Sequence, residues 1–297
     1  MSTRFKRSVF AAAVLLGCCL VAAGGTMAEA EHGPHKHFFW KITGATGVVY
    51  LLGTIHAGVD AMYPLPGVIE ESFARSDKLM GEADLESGYF ARWLTAHGAY
   101  LNGDIVTNHL SPETRTRLAA YLKKTGLPEK LVLRMRPWCL SFVIGGPEAK
   151  KMGFSMAKGI DEHFREEALK THKPIGAVES AEFHLQVLAG LPDDLQDQLV
   201  LETLLQVDDE GYMHRLLNAW LAGDPQALEK VIAPSVRDYP LLMKKLLFDR
   251  NDLMTAKIEK LLEFPKTYFV TIGAAHLVGA HGILKLLQEK GLTVEQL

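Results

Sequence analysis

The sequence predicts an α/β fold, with a central mixed β-sheet flanked by helices and large helical insertions between strands. Three observations carry this. Apolar, β-rich runs recur at Val48-Val49-Tyr50-Leu51-Leu52, Lys78-Leu79-Met80, Pro174-Ile175-Gly176-Ala177-Val178 and Thr267-Tyr268-Phe269-Val270-Thr271-Ile272. Long helix-patterned stretches, about 89–172 and 180–263, separate the later runs. The first run is continuously apolar, which suits a strand buried on both faces. With 297 residues, 48% hydrophobic and 23% charged, the chain is long and apolar enough to build such a core.

The first thirty residues stand apart from this pattern. Arg4, Lys6 and Arg7 precede an apolar run from Val9 to Ala23, and Ala28-Glu29-Ala30 is a small-x-small cleavage pattern. Residues 1–30 are therefore expected to be a signal peptide, and the mature chain to be periplasmic or secreted. The run is short for a membrane span, so no transmembrane span is expected in the mature form. An uncleaved anchor stays open. So does a lipid tether on Cys18 in Leu15-Leu16-Gly17-Cys18, although the apolar residues after Cys18 count against it.

Cleavage would remove Cys18 and Cys19 and leave Cys139 alone, so no intrachain disulfide is expected. In Trp138-Cys139-Leu140-Ser141-Phe142 that thiol reads as buried and inert rather than nucleophilic. Met152, Met156, Trp138 and Phe142 read as packing residues. The net charge of −3 becomes near −5 without Arg4, Lys6, Arg7 and Glu29, and no basic stripe appears, so no nucleic-acid partner is expected.

The elements follow in order. Residues 31–37 carry His32, His35 and His37 and read as a flexible, solvated tail, with loose metal binding as the alternative. Residues 38–297 form one domain. Phe38 to Thr43 and Gly47 to Leu52 flank a glycine-containing turn, so a hairpin opens the sheet. A helix runs from Gly67 to Ser76, followed by a strand from Lys78 to Asp84. Ser111-Pro112-Glu113 starts a helix, with Ser as cap and Pro in the first turn. Lys173 to Glu179 is a strand. Gly190-Leu191-Pro192, Gly223-Asp224-Pro225 and Tyr239-Pro240 divide the second helical stretch. The strand Thr267 to Ile272, a helix near Ala280 to Lys290 and a strand from Thr293 to Leu297 complete the chain.

The chemistry gathers where strands end. Gly53-Thr54-Ile55-His56 and Gly273-Ala274-Ala275-His276 repeat one pattern, Gly-x-x-His, and Glu82 and Glu179 close two other strands. Sites in open α/β sheets form outside strand ends. Two histidines and two carboxylates suit a divalent transition metal such as Mn, Co or Zn. Such an ion polarises a carbonyl and activates water, and a spare carboxylate serves as general base. Taken singly, each motif also reads as a structural histidine or a solvated strand end.

Taken together and in order, the motifs resemble the TraB/GumN family, which includes the Tiki and PrgY proteins. Val49-Tyr50-Leu51-Leu52-Gly53-Thr54-Ile55-His56, Gly81-Glu82-Ala83-Asp84-Leu85, Gly159-Ile160-Asp161, Ala177-Val178-Glu179-Ser180-Ala181-Glu182, Arg250-Asn251 and Gly273-Ala274-Ala275-His276-Leu277 carry the resemblance over nearly all of the mature chain. Ser180 stands where the family often has Thr, and still suits a helix cap. The resemblance implies a fold similar to erythromycin esterase and ChaN, and a metal-dependent peptidase acting on a peptide or protein. It implies His56, His276, Glu82 and Glu179 around the metal, with Glu82 and Glu179 as ligand or general base. Arg250 is expected to pair with a site carboxylate or hold a substrate carboxylate, with Asn251 beside it at the substrate. Asp84 and Asp161 are further candidates, Asp161 also as a helix cap. Two other functions are consistent with the same resemblance: capture of a peptide signal without cleavage, and haem binding through Tyr50, His97 or the tail histidines.

Overall fold

The structure is a computed structural model that describes residues 36–83 and 89–297. The expected leader, Cys18, His32, His35 and Asp84 lie outside the described residues. Among the described residues six strands form one sheet: β1 (Phe39–Thr43), β2 (Val48–Thr54), β3 (Lys78–Ala83), β4 (Ile175–Glu179), β5 (Thr267–Gly273) and β6 (Thr293–Gln296), in spatial order β4-β3-β5-β2-β1-β6. β1 pairs antiparallel with β2 and with β6, whereas β2, β5, β3 and β4 run parallel. The sheet is therefore mixed, as the opening hairpin required.

The last residue of the expected tail is tied down. His37 donates its N–H to Leu297 O at 2.6 Å, and its carbonyl accepts from Gln296 Nε2 at 2.8 Å.

Among the described residues, thirteen α-helices surround the sheet. α1 (Gly67–Arg75) links β2 to β3. Between β3 and β4 lie α2 (Tyr89–His97), α3 (Pro112–Thr125), α4 (Glu129–Val132), α5 (Pro137–Lys151) and α6 (Ile160–Lys170). Between β4 and β5 lie α7 (Ala181–Ala189), α8 (Asp193–Asp208), α9 (Tyr212–Leu221), α10 (Pro225–Asp238), α11 (Pro240–Met243) and α12 (Asp249–Leu262), and α13 (Ile283–Glu289) precedes β6. These are the two helical insertions. Their starts follow local chemistry: Ser111 accepts from Thr114 N at 3.2 Å with Pro112 behind it, and Ser180 accepts from Phe183 N at 3.1 Å. Asp161 does not cap α6. Gly159 holds that position, which frees the Asp161 carboxylate for a distant partner.

β5 is the axis of the core. Phe269 packs against Phe164 of α6 at 4.6 Å between ring centroids, Phe73 of α1 at 5.4 Å and Phe39 of β1 at 5.8 Å. All four rings are buried. Truncating one such ring to Ala costs about 3–5 kcal/mol, so this stack fixes α1 and α6 on the sheet. Trp138 is fully buried and Cys139 nearly so, as expected of packing residues, while Phe142 and Met156 stay half-buried because they face a cavity.

The parallel register decides where the chemistry meets. Thr54 lies opposite Gly273, and Ala83 opposite Glu179. Four parallel strands thus release their chain at one edge of the sheet, bringing His56, Glu82, Glu179 and His276 to the same side.

Candidate active site

The two Gly-x-x-His motifs need glycine for contact distance. A Cβ on Gly53 would stand 2.4 Å from Phe38 Cδ1, inside any permitted contact. A Cβ on Gly273 would meet Glu82 Oε2 at 3.2 Å, His56 Nε2 at 3.5 Å and His276 Cδ2 at 3.6 Å. Gly273 therefore lets the backbone itself enter the site, and its N–H donates to Glu82 Oε2 at 2.7 Å.

Arg250, on the first turn of α12, holds the centre. Its Nη2 donates to Glu82 Oε1 at 2.6 Å and to Glu179 Oε2 at 2.7 Å, and its Nε donates to Glu179 Oε1 at 3.0 Å. Its Nη1 donates to the Leu246 carbonyl at 3.0 Å. Leu246 belongs to a π-helical turn, Lys244–Phe248, that joins α11 to α12. Such turns concentrate at functional sites.

Charge at this centre follows from burial and neighbours. Burial works against ionisation of Glu82, but the basic groups around it, His276, Arg250, His184 and His56, outweigh burial and hold its pKa well below the usual carboxylate range. Glu179 is also lowered: burial opposes its charge, and hydrogen bonds from His184 and Arg250 overcome that. His276 goes the other way. Burial pushes it down to about 4, against the attraction of Glu82. His276 is thus neutral near pH 7, and Arg250 is the standing positive charge beside the two carboxylates.

The His276 tautomer follows from its partners. Asn251 Nδ2 donates to His281 O at 2.7 Å, so its Oδ1 is the acceptor that meets His276 Nδ1 at 2.6 Å. Nδ1 carries the proton, and Nε2 is left as an acceptor 3.2 Å from Arg250 Nη1. Asn251 was expected at the substrate. It stands instead behind His276, almost wholly buried, because α12 turns it toward the 281 carbonyl.

His56 belongs to a neighbouring pair. Its Nδ1 lies 2.8 Å from Asp161 Oδ2, and Thr54 Oγ1 donates to Asp161 Oδ1 at 2.9 Å. Burial lowers the His56 pKa, but the charge and hydrogen bond of Asp161, with help from Glu82, raise it overall to about 9. The ring is not sealed off: 42% of its side chain is exposed, and solvent at that face moderates the rise. Its Nε2 faces Gly273 and the centre.

Of the four expected metal ligands, Glu82 and Glu179 meet, and His276 Nε2 lies 3.7 Å from Glu82 Oε1, while His56 is held to the side by Asp161. Among the described residues, the compact donor set is Glu82, Glu179 and His184, whose ligand atoms lie within 4.8 Å of one another. His184 was not among the sequence-derived candidates. Its Nδ1 is 3.3 Å from Glu179 Oε2 and 3.0 Å from Arg250 Nη2. The signal was present: it falls one helical turn after the Ser180 cap, so it points back to the acidic strand end. Two carboxylates and an imidazole fit a divalent transition metal, and Arg250 shares the same oxygens.

Above this floor opens a cavity of about 560 Å3. Both helical insertions wall it, with Phe142, Leu185, Met213, Leu216, Ile232 and Leu247 among its apolar residues. Tyr50 and His97 are elsewhere: Tyr50 stacks on Phe39, and His97 stacks on Trp93.

The chain that carries these strand-end groups has relatives among known proteins. The TraB/PrgY/gumN family matches residues 38–296. The chain belongs to that family. It is similar to the uncharacterised protein YbaP of Escherichia coli, at 25% identity over 242 residues, covering 80% of this chain and 87% of YbaP. It is similar to metalloprotease TIKI1 of Homo sapiens, at 24% identity over 306 residues, covering 83% of this chain and 59% of TIKI1. An uncharacterised Treponema pallidum protein is 24% identical over 229 residues, covering 73% of this chain and 66% of that protein. No solved structure matches the chain. Family membership places the Gly53 and Gly273 motifs, Glu82, Glu179 and Arg250 within the matched span.

Proposed function

We propose that the protein is an exported metal-dependent hydrolase that cleaves peptide bonds in a peptide or protein. The observation that carries this reading is the convergence of Glu82, Glu179, His184 and His276 with Arg250 on one buried point beneath an apolar cavity. The similarity to a protein named metalloprotease TIKI1 supports it.

In this reading Glu82, Glu179 and His184 hold a divalent ion. Bound there, the ion supplies a Lewis acid that polarises a carbonyl and eases deprotonation of water. The chain's own residues supply orientation and proton handling. Arg250 offsets the charge of the paired carboxylates and keeps both ionised. Asn251 fixes the His276 ring so that its Nε2 lone pair faces the centre. Asp161 fixes the His56 ring so that Nε2 exchanges a proton with a group bound against Gly273. The apolar walls exclude bulk water from that exchange. The basic and apolar leader with its Ala28-Glu29-Ala30 cleavage pattern supports export to the periplasm or beyond.

The test is cleavage of a peptide library by the purified protein with Mn2+, Co2+ or Zn2+. Metal-dependent cleavage is expected, with its loss in Glu82→Gln and in His184→Ala. A folded protein that cuts no peptide with any of the three ions sinks the reading. One observation favours a second reading, capture of a peptide without cleavage: Arg250 already takes the carboxylate oxygens that an ion needs. A bound peptide recovered intact after long incubation with metal would establish it.

A further inference from the structure

Glu202 lies in the wall of the same cavity, on α8, and takes no part in the chemistry above. It is 8% exposed. Its Oε1 accepts from Gln206 Nε2 at 2.9 Å and from the Ser235 hydroxyl. Among the described residues, no hydrogen bond reaches its Oε2, and no Lys, Arg or His forms an ion pair with it. Gln206, Tyr212 and Ser235 also line the cavity there, so a small polar patch is set into apolar walls. Burial, and after it the Glu202 charge, raises the Tyr212 hydroxyl pKa.

A carboxylate taken out of water is costly unless a cation or several donors compensate it. Two neutral donors on one oxygen leave about half of its acceptor sites open. The other carboxylate that lines this cavity, Glu82, has its cation: Arg250 serves it together with Glu179 behind it. Glu202 is the exception, and its side chain faces the space a ligand would fill.

We propose that Glu202 binds a primary ammonium group of the ligand, so that the cavity takes an apolar peptide by a free amine. The neighbouring walls, Leu199, Met213, Leu216, Leu228 and Ile232, would receive apolar side chains next to that amine. An ammonium offers three donors, enough to reach Oε2 and the Tyr212 oxygen together. The peptide N-terminus and a lysine side chain present the same chemistry.

The inference shares its cavity with the hydrolytic reading but is read by binding, without metal, so absence of cleavage and absence of amine preference are separate results. The probe is a short Leu/Phe peptide with an amidated C-terminus, titrated calorimetrically into the full chain in chelator-treated buffer. Three forms are compared: free N-terminus, acetylated N-terminus, and acetylated N-terminus with one lysine. The free form is expected to bind at least about tenfold tighter than the acetylated form, the strength of a charged hydrogen-bonded contact. Recovery of affinity in the lysine form would assign the ammonium to side chains as well as termini, and no recovery would restrict it to the N-terminus. In Glu202→Gln the preference is expected to vanish. Equal affinity of the free and acetylated forms for the unaltered protein, including no binding of either, overturns the proposal without any variant. A preference that persists in Glu202→Gln overturns it too.

Discussion

Arg250 and Glu179 form a two-point ion pair in which both side chains are buried: Nε reaches Oε1 at 3.0 Å and Nη2 reaches Oε2 at 2.7 Å. The same Nη2 also serves Glu82. Removing the guanidinium leaves two carboxylates without their cation. Arg250→Met is therefore expected to destabilise the fold by about 3–5 kcal/mol. Mn2+ is expected to restore part of that loss, and to do so more than it stabilises the unaltered protein. Thermal denaturation with and without the ion checks both statements. Arg250→Lys keeps a charge but loses the fork, and its stability should fall between the two.

Asn251 acts through His276. Asn251→Ala removes the acceptor that fixes the Nδ1 proton. Catalytic efficiency in the peptide assay is expected to fall by about 10- to 100-fold, the range for loss of a group that orients a site histidine. Asn251→Asp keeps an acceptor and should retain most of it. Equal losses in the two variants would remove the tautomer argument.

The two motif glycines predict different failures. A Cβ at Gly53 runs into Phe38 at 2.4 Å, so Gly53→Ala should cost stability by about 1–3 kcal/mol through overpacking. A Cβ at Gly273 presses on the Glu82 carboxylate at 3.2 Å. Gly273→Ala should chiefly lower activity, with a small change in melting temperature. Paired melts and assays separate the two outcomes.

A pH effect on stability is expected from His109. It bridges Asp193 at 2.7 Å and Asp104 at 2.8 Å, tying the segment before α3 to the start of α8. Hydrogen bonds donated to Asp193 first, then to Asp104, raise the His109 pKa from 6.5. Its stabilisation is therefore complete below about pH 6.5 and is lost as pH rises through the higher folded value. The Asp104 pKa is lowered from 3.8 to about 2, by His109 first and Asn108 next, so its share is present above 3.8 and is lost only as pH falls toward 2. The melting-temperature gap between the unaltered protein and His109→Gln should be widest from roughly pH 4 to 6.5 and narrow in alkali. A gap that widens above pH 8 would contradict the assignment.

The Cys139 thiol is pushed up to about 12 by burial. Iodoacetamide is expected to leave it unlabelled in the native protein and to label it after denaturation. Rapid native labelling, read by mass spectrometry, would show that α5 opens.

What the sequence made legible was the strand-end logic. Val48 to Leu52 and Thr267 to Ile272 announce central strands by continuous apolar runs, and those strands deliver His56 and His276. Glu82 and Glu179 follow from the same reasoning. The misses share a cause. His184, the Asp161–His56 pair and the place of Asn251 behind His276 depend on which way a helical side chain turns relative to a strand far away in sequence. Asp161 and His56 are separated by 105 positions, so no local pattern announces their contact. The cavity was illegible for a similar reason. Met156 and Phe142 have ordinary core chemistry, and only the mutual placement of the two insertions leaves them facing open space.

The π-helical turn at Lys244–Phe248 has one more consequence. It acts as a phase adjuster, because its wider turn takes up one extra residue that in a regular α-helix would rotate everything after it about the axis. Closing that turn into regular α-geometry with all its residues kept would merge α11 and α12 out of phase. Arg250 would then swing by roughly 100°, the angle per residue of an α-helix, and its guanidinium would leave Glu82 and Glu179 altogether. The aim of the central charge thus depends on a single surplus residue one turn upstream.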